Sequence, residues 1–151
     1  MTLNIGDLAP AFSGKDQNGN TIQLADYKGK KLVIYFYPKD NTPGCTAQAC
    51  NLRDNYELLQ KQGYNILGIS CDSEKSHQKF ITKFELPFPL IADEDQTIVN
   101  QFGVWVEKSM YGKTYMGIAR TTFVIDENQK IIDIIAKVDT KEHTSQIVRS
   151  L

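Results

Sequence analysis

The fold of the chain is constrained most by one apolar run, Leu32 to Tyr37, which is the longest in the sequence and ends at Pro38. Branched and aromatic residues of this kind favour β-strands. Because every position in the run is apolar, both faces of the strand must be covered, and we predict a central strand of a sheet. The run is far too short to cross a membrane as a helix.

A helix is predicted directly after this strand. Thr42 is a favourable N-cap, Pro43 suits the first helical position, and Gly63 is a suitable terminator. Residues recur at intervals of three and four positions on one face of this helix: Cys45, Ala49, Leu52, Tyr56 and Leu59. We therefore predict one helix between Thr42 and Gly63, with a buried stripe that begins at Cys45.

The remaining pattern completes an α/β chain. An Asn18-Gly19 turn predicts an amino-terminal β-hairpin. Further strands are predicted at 65–72, 90–92, 121–126 and 130–138, and helices at 73–84, at 95–102 and in the carboxy-terminal segment with Ile147, Val148 and Leu151. The segment 104–117 is predicted to be a solvent-exposed aromatic loop. This order indicates a mixed β-sheet flanked by helices, in a single domain that spans residues 1–151.

Composition and charge narrow the class of protein. With 151 residues, 41% of them hydrophobic, the chain can form one domain with a packed core. Its formal net charge of −1 offers no excess of cations for nucleic-acid phosphates. We read no signal peptide at the amino terminus, and 3 cysteines are too few for a secreted disulfide scaffold. We expect a soluble cytoplasmic protein that binds neither nucleic acid nor membrane.

Cys45 occupies a position that favours reactivity. If Thr42 is the cap, Cys45 is the third residue of the helix, where backbone N–H groups are unpaired and the helix dipole is positive. Both effects favour a thiolate over a thiol. Because Cys45 also begins the buried stripe, we expect its sulfur at the floor of a shallow pocket. An ordinary buried cysteine is the alternative, and position alone leaves both open.

Cys50 follows Cys45 by five positions, and their separation in a helix can be calculated. The two Cα atoms lie roughly 8.7 Å apart, beyond the limit of about 7 Å for a disulfide. Either the two thiols are unrelated, or the helix unwinds locally during a reaction. The spacing disfavours zinc, since His77 and His143 offer no matching ligand pair. Cys71 ends a predicted buried strand and is interpreted as a packed, unreactive thiol.

One short motif connects the strand with the helix. Pro38, Thr42 and Cys45 spell P-x-x-x-T-x-x-C, which resembles the active-site signature of the peroxiredoxins. The longer segment 35–50 (YFYPKDNTPGCTAQAC) is similar to the bacterioferritin comigratory protein, or peroxiredoxin Q, subgroup. Further segments agree with this subgroup, namely 6–12 (GDLAPAF), 102–105 (FGVW) and 117–126 (GIARTTFVID). The resemblance covers nearly the whole chain.

This resemblance implies a thioredoxin-like fold and the thiol-dependent reduction of hydrogen peroxide and organic hydroperoxides, an antioxidant activity. Cys45 matches the peroxidatic cysteine and Cys50 the resolving cysteine, which implies an intramolecular Cys45–Cys50 disulfide. Arg120 matches the active-site arginine, and Pro38 and Thr42 complete the site. The implied reductant is thioredoxin, with glutaredoxin as an alternative; no metal or cofactor is implied. A monomer is expected, and Cys71 matches no functional position.

Physical chemistry gives each of these residues a possible role and an ordinary alternative. Arg120 can hold the thiolate and polarise the O–O bond, or it can pair with a carboxylate. The Thr42 hydroxyl can bind the peroxide or cap the helix. Gly44 lets backbone N–H groups approach a ligand closely. Pro38 can form a wall that limits water near the sulfur, or simply end the strand.

Three other functions are alternatives to the peroxidase. A thioredoxin-like disulfide reductase is disfavoured because the chain has no Cys-x-x-Cys motif. A non-catalytic binding or chaperone module would leave Cys45 and Arg120 dispensable. A cysteine hydrolase would need a histidine beside Cys45, and the sequence alone does not place His77 or His143.

Overall fold

The structure, a computed structural model, describes residues 2–149. Its strands are β1 (Ser13–Lys15), β2 (Thr21–Gln23), β3 (Lys31–Phe36), β4 (Tyr64–Ser70), β5 (Leu90–Ala92), β6 (Trp105–Met110), β7 (Lys113–Ile118), β8 (Thr121–Ile125) and β9 (Ile131–Ile135). Its helices are α1 (Pro43–Asp54), α2 (Tyr56–Lys61), α3 (Glu74–Phe84), α4 (Thr97–Gln101) and α5 (His143–Val148), with a 3-10 turn at Leu24–Tyr27.

The central sheet is mixed, as predicted, and β3 lies in its middle. The strand order is β5-β4-β3-β8-β9. Strand β3 runs parallel to β4 and antiparallel to β8. Residues 32–36 of β3 are all buried, which confirms the prediction of a strand covered on both faces. The loop that leaves β3 leads directly into α1.

Alternate residues of β3 point into two separate apolar layers, because side chains alternate across a strand. Leu32, Ile34 and Phe36 pack in one layer. This layer also holds Phe12 of the amino-terminal segment and Phe102, which directly follows α4. Val33 and Tyr35 pack in the other layer, which also holds the buried stripe of α1 and α2. Cys45 belongs to this second layer, so the start of α1 packs against this face of the sheet.

Other predicted elements are confirmed with small shifts of their ends. β1 and β2 form the amino-terminal hairpin, and β8 and β9 form the later one. The Ser73 hydroxyl caps α3 by accepting the Ser76 N–H at 3.1 Å. The carboxy-terminal helix is present as α5, with Ile147 buried; Leu151 lies outside the described residues.

The predicted single helix between Thr42 and Gly63 is wrong in one respect, since it divides at Asn55. The backbone of Asn55 leaves the helical region, with φ −110° and ψ 11°, and its side-chain amide donates to the Asn51 carbonyl at 2.8 Å. Asparagine side chains compete with helical hydrogen bonds in this way, which favours a break. Gly63 ends α2 with φ +87°, as predicted.

The prediction of a loop at 104–117 is also wrong. Strands β6 and β7 form an antiparallel hairpin there, paired from Trp105 with Ile118 to Met110 with Lys113. A two-residue turn joins them, in which Tyr111 and Gly112 both have positive φ, 53° and 78°.

Within residues 2–149, none of the helices has the length and apolar character needed to cross a membrane.

Candidate active site

Cys45 is positioned by the connection from β3 to α1. Thr42 has the extended backbone of an N-cap residue, with φ −97° and ψ 156°, and Pro43 opens the helix, so Cys45 is its third residue as predicted. The first helical bond runs from the Thr46 N–H to the Thr42 carbonyl at 2.8 Å. The N–H groups ahead of it are free of intrahelical bonds and favour an anion at this end. The Cys45 side chain is only 1% exposed.

A guanidinium contacts the sulfur from the other side of the site. Arg120 lies in the connection between β7 and β8, and its Nη2 is 3.4 Å from Cys45 Sγ. Its Nη1 donates to the amide oxygen of Gln48 at 2.8 Å. The sequence left open a carboxylate partner for Arg120, but the guanidinium contacts a sulfur and an amide instead. A permanent cation therefore faces the atom that would become a thiolate.

Gln48 is a site residue that the sequence analysis missed. It lies three residues after Cys45, so the two side chains share one face of α1. Gln48 is fully buried, and among the described residues its Nε2 has no hydrogen-bond partner. A buried polar residue at this helical spacing from the cysteine was the signal available in the sequence.

Gly44 makes room for the guanidinium. A Cβ atom at this position would lie 3.1 Å from Arg120 Nη2, closer than ordinary contact, and 3.9 Å from Thr140 Cγ2. Any larger residue would therefore press on the nitrogen that contacts the Cys45 sulfur. The sequence analysis assigned Gly44 a different role, the approach of backbone N–H groups to a ligand, and that role stays a prediction.

The Thr42 hydroxyl does not cap the helix, which corrects one expectation. It donates to the Lys39 carbonyl at 2.9 Å instead of accepting a helical N–H. With its proton engaged in this way, the hydroxyl oxygen has lone pairs left that can accept a hydrogen bond. Binding of the peroxide, the other role considered for Thr42, stays a prediction.

The structure places Pro38 and Cys71 together at one cavity. They line a volume of about 280 Å³ with Trp105 and Lys108 of the β6–β7 hairpin. Burial, and then the nearby Asp93 carboxylate, raise the pKa of Cys71 to about 12. This thiol is therefore neutral over the ordinary pH range, in agreement with the prediction of an unreactive cysteine.

Cys50 is held in the same helix as Cys45. Both are free thiols, and α1 continues without interruption from Pro43 to Asp54. Cys50 is half-buried, whereas Cys45 is buried. In this state the helical turn between them persists, so their Cα atoms are held beyond disulfide distance by the helix itself.

Two nearby groups show how strongly the surroundings of the site affect ionisation. Burial, and then the charges of Asp40 and Cys45, raise the pKa of Tyr35 well above its ordinary value, so this buried phenol stays neutral. Burial, and then the Arg120 guanidinium, lower the pKa of Lys108. Lys108 is thus a second cation on the Arg120 side of the site.

The histidines do not supply a base for Cys45. Burial lowers the pKa of His143, and its ring is bonded to Thr122 and Gln146, each at 2.8 Å. His77 bonds to Asp40 at 2.7 Å and to the Ile91 carbonyl at 2.9 Å. The cysteine hydrolase considered from the sequence therefore finds no support in these contacts.

One cluster of possible metal ligands occurs among residues 2–149, formed by Asp40, Asp72 and His77. Both ring nitrogens of His77 are already bonded, one to a carboxylate and the other to a carbonyl. Asp72 accepts hydrogen bonds from the Asp40 N–H and the Ser70 hydroxyl. These three residues are thus joined in one hydrogen-bond network.

The chain is similar to known proteins along nearly its whole length. The model of the AhpC/TSA family matches residues 5–134. The Escherichia coli protein named peroxiredoxin Bcp is 46% identical over 149 residues, covering 99% of this chain and 96% of its own. A Xylella fastidiosa PrxQ crystal structure, with one cysteine replaced by serine, superposes with a TM-score of 0.92 at 32% identity, over 99% of this chain and 95% of that one.

A third relative is a protein with alkyl peroxide reduction activity. A structure of the Xanthomonas campestris bacterioferritin comigratory protein, solved as a trapped intermediate and ligand complex to explain its alkyl peroxide reduction activity, superposes with a TM-score of 0.86. It is 36% identical and covers 92% of this chain and 88% of its own. The thioredoxin-like fold expected from the sequence is thereby confirmed.

Proposed function

The chain belongs to the AhpC/TSA family, among the Bcp or PrxQ peroxiredoxins, and is a thiol-dependent peroxidase, in which we propose that Cys45 is the peroxidatic cysteine and Cys50 the resolving cysteine. The observation that carries this proposal is the 3.4 Å contact between the Arg120 guanidinium and the Cys45 sulfur at the start of α1. A helix end and a permanent cation both stabilise a thiolate, which is the nucleophilic form of cysteine.

The first chemical step is a displacement at oxygen. The Cys45 thiolate attacks the nearer oxygen of the hydroperoxide, the S–O bond forms, and the O–O bond breaks. The departing oxygen takes a proton and leaves as water or an alcohol, while Cys45 becomes a sulfenic acid. Negative charge moves from sulfur to the departing oxygen, so the Arg120 cation lies close to where that charge develops.

The other site residues orient the substrate. Because the Thr42 hydroxyl donates to the Lys39 carbonyl, its oxygen can accept the O–H of the hydroperoxide and orient the O–O bond toward Cys45. Gly44 allows Arg120 to approach the sulfur. Pro38 follows the end of β3 by two residues, and we assign it the restriction of water near the site.

The second step requires the helix to open. Cys50 attacks the sulfenic sulfur of Cys45, a Cys45–Cys50 disulfide forms, and water leaves. Both residues lie in α1, so its first turns must unwind before the two sulfurs can meet. Local unwinding of a helix end costs less free energy than global unfolding.

We propose hydrogen peroxide and organic hydroperoxides as substrates, in keeping with the alkyl peroxide reduction described for the Xanthomonas campestris relative. The proposed reductant is thioredoxin, which returns the disulfide to two thiols, with glutaredoxin as the alternative dithiol donor. We also propose that the protein is a monomer and is located in the cytoplasm, because a reducing compartment supplies dithiol donors of this kind. Light scattering of the reduced and oxidised protein tests the oligomeric state.

The test combines peroxide consumption with mass spectrometry. Wild type with a thioredoxin system should consume peroxide continuously, Cys45→Ser should consume none, and Cys50→Ser should complete a single round without turnover. Cys71→Ser is the matched control and should behave like wild type. After one equivalent of peroxide, a Cys45–Cys50 bond should appear; a bond through Cys71, or turnover by Cys45→Ser, would overturn the assignment.

A further inference from the structure

A buried polar network holds the loop that carries the peroxidatic cysteine. Asp40 lies in this loop, between β3 and α1, and its side chain is 4% exposed. Its Oδ2 is 2.7 Å from Nδ1 of His77, a fully buried residue of α3. Asp40 Oδ1 accepts the Tyr37 hydroxyl at 2.6 Å, and its Oδ2 also accepts the Ser76 hydroxyl at 2.8 Å.

The hydrogen bonds fix the orientation of this pair. Nε2 of His77 lies 2.9 Å from the Ile91 carbonyl oxygen, which only accepts, so Nε2 carries a proton. The carboxyl group of Asp40 accepts two hydroxyl donors and forms a third hydrogen bond, 2.7 Å long, with Nδ1 of His77. Both side chains are buried, so each depends on the other as a hydrogen-bond partner.

The pair connects the loop to two other elements. Through His77 the loop is tied to α3, and through the Ile91 carbonyl to β5. The backbone of the loop is fixed as well, since the Asp40 N–H donates to Asp72 at 2.8 Å. Asp40 precedes Thr42 by two residues and Cys45 by five, so its position sets the position of both.

We propose that His77 is a positioning residue, which acts through Asp40 to hold Thr42 and the start of α1 in the geometry that receives a hydroperoxide. The inference rests on the roles proposed above for Cys45 and Thr42. Arg120 comes from the β7–β8 connection and takes no part in the His77 network, so the cation beside the sulfur remains when His77 is replaced. What is lost is the alignment of the O–O bond with the sulfur.

This division predicts a specific kinetic signature. Reaction with a peroxide requires an oriented substrate, whereas alkylation by iodoacetamide requires only a reachable thiolate. Misplacement of catalytic groups by about 1 Å can reduce a rate by up to about a hundredfold. His77→Gln should therefore slow the first-turnover reaction with peroxide by about tenfold or more, while alkylation of Cys45 changes by less than about threefold.

A double-mutant cycle identifies the partner. Asp40→Asn should give the same signature, and the double variant His77→Gln with Asp40→Asn should be no slower than the slower single variant by more than about threefold, because residues that act as one unit are not additive. Ile98→Ala is the control for lost stability: it removes buried atoms from α4 in the opposite layer and should leave the peroxide rate unchanged.

The outcomes separate the two proposals. A wild type whose Cys45 does not react with peroxide overturns the proposed function and this inference with it. A reactive wild type with an unchanged peroxide rate in His77→Gln, with equal losses in both reactions, or with additive single effects overturns this inference alone. If His77→Gln does not fold, Ser76→Ala removes one hydrogen bond to the same oxygen; it should slow the peroxide reaction selectively, and an unchanged rate overturns the inference.

Discussion

Replacing Gly44 by alanine should stabilise α1 and impair its chemistry at the same time. The added methyl group would lie 3.1 Å from Nη2 of Arg120, and ordinary contact begins at about 3.4 Å. Nη2 is also the atom that contacts Cys45 Sγ at 3.4 Å. Because the backbone of Gly44 is already helical, relief must come from the guanidinium, which is displaced by about 0.3 to 0.5 Å.

The size of the effect follows from this displacement. With an effective dielectric constant of about 20, lengthening the 3.4 Å pair between Arg120 and Cys45 by about half an ångström loses roughly 0.6 kcal/mol, or about threefold in rate. Partial loss of the hydrogen bond adds roughly 0.5–1 kcal/mol. We expect the first-turnover reaction with peroxide to slow by about five- to twentyfold. Alanine in place of glycine favours the helix by about 0.5–1 kcal/mol, so the midpoint of thermal unfolding should not fall.

Stopped-flow measurement of the peroxide reaction tests this, with a second arm in an Arg120→Met background. Methionine lacks the nitrogen that the new methyl group meets, so Gly44→Ala should change the rate of that variant by less than about twofold. The reasoning is refuted if Gly44→Ala reacts at the wild-type rate, or if its loss is equally large when Arg120 is absent.

Further predictions concern Gln48, Cys71 and Ser73. Gln48→Leu removes the oxygen that holds Arg120; such bonds contribute about 1.5–3 kcal/mol, so the peroxide reaction measured by stopped flow should slow by about tenfold or more. Burial and Asp93 raise the pKa of Cys71 to about 12, so iodoacetamide should label it roughly a thousandfold more slowly than an exposed thiol at neutral pH, as followed by mass spectrometry. The stabilising effect of this neutral thiol is complete below the ordinary thiol pKa and is lost as the pH rises toward 12, so Cys71→Ala should flatten the alkaline end of the pH–stability curve. Ser73→Ala removes the cap of α3 and should lower the free energy of unfolding in urea by about 1 kcal/mol.

The elements that position the site were predictable because their signals are local. The apolar run of β3 and the Thr42-Pro43 helix start depend on burial and capping, which act within a few residues. The break at Asn55 has a local signal too, since the adjacent Asp54 is also a weak helix former. The apolar periodicity continues across the break, and periodicity alone therefore predicted one helix.

The β6–β7 hairpin escaped prediction for a different reason. Most of its residues are exposed or half-buried on both faces, so the alternation of apolar and polar residues that marks a strand is weak. Gly112 was the usable signal, because both central residues of this two-residue turn have positive φ and glycine adopts positive φ readily. Tyrosine is uncommon at such a position, and this concealed the turn.

Only the site residues that lie together in one short motif could be predicted from their local sequence. The spacing of Thr42 and Cys45 is written in one short segment, whereas Arg120 is 75 positions from Cys45 and was assigned by resemblance. Gln48 and His77 carry out their interactions through tertiary contacts with Arg120 and Asp40. No local pattern distinguishes a buried histidine that pairs with a distant carboxylate from one that fills a core.

The start of α1 must hold Cys45 in place for the peroxide reaction and must open for the proposed disulfide. Both are possible because the segment is anchored on either side of the two cysteines. Upstream, Asp40 is fixed by its network with His77. Downstream, Asn51 donates to the Lys141 carbonyl and accepts the Thr144 N–H, each at 2.8 Å, which ties the middle of α1 to the α5 region. Cys45 and Cys50 both lie between these anchors, so the proposed disulfide requires a change in the backbone of only residues 41–50. Opening then costs the hydrogen bonds of the first helical turns and the burial of Cys45 and Ala49, and the connection that holds Arg120 need not move when the sulfurs meet.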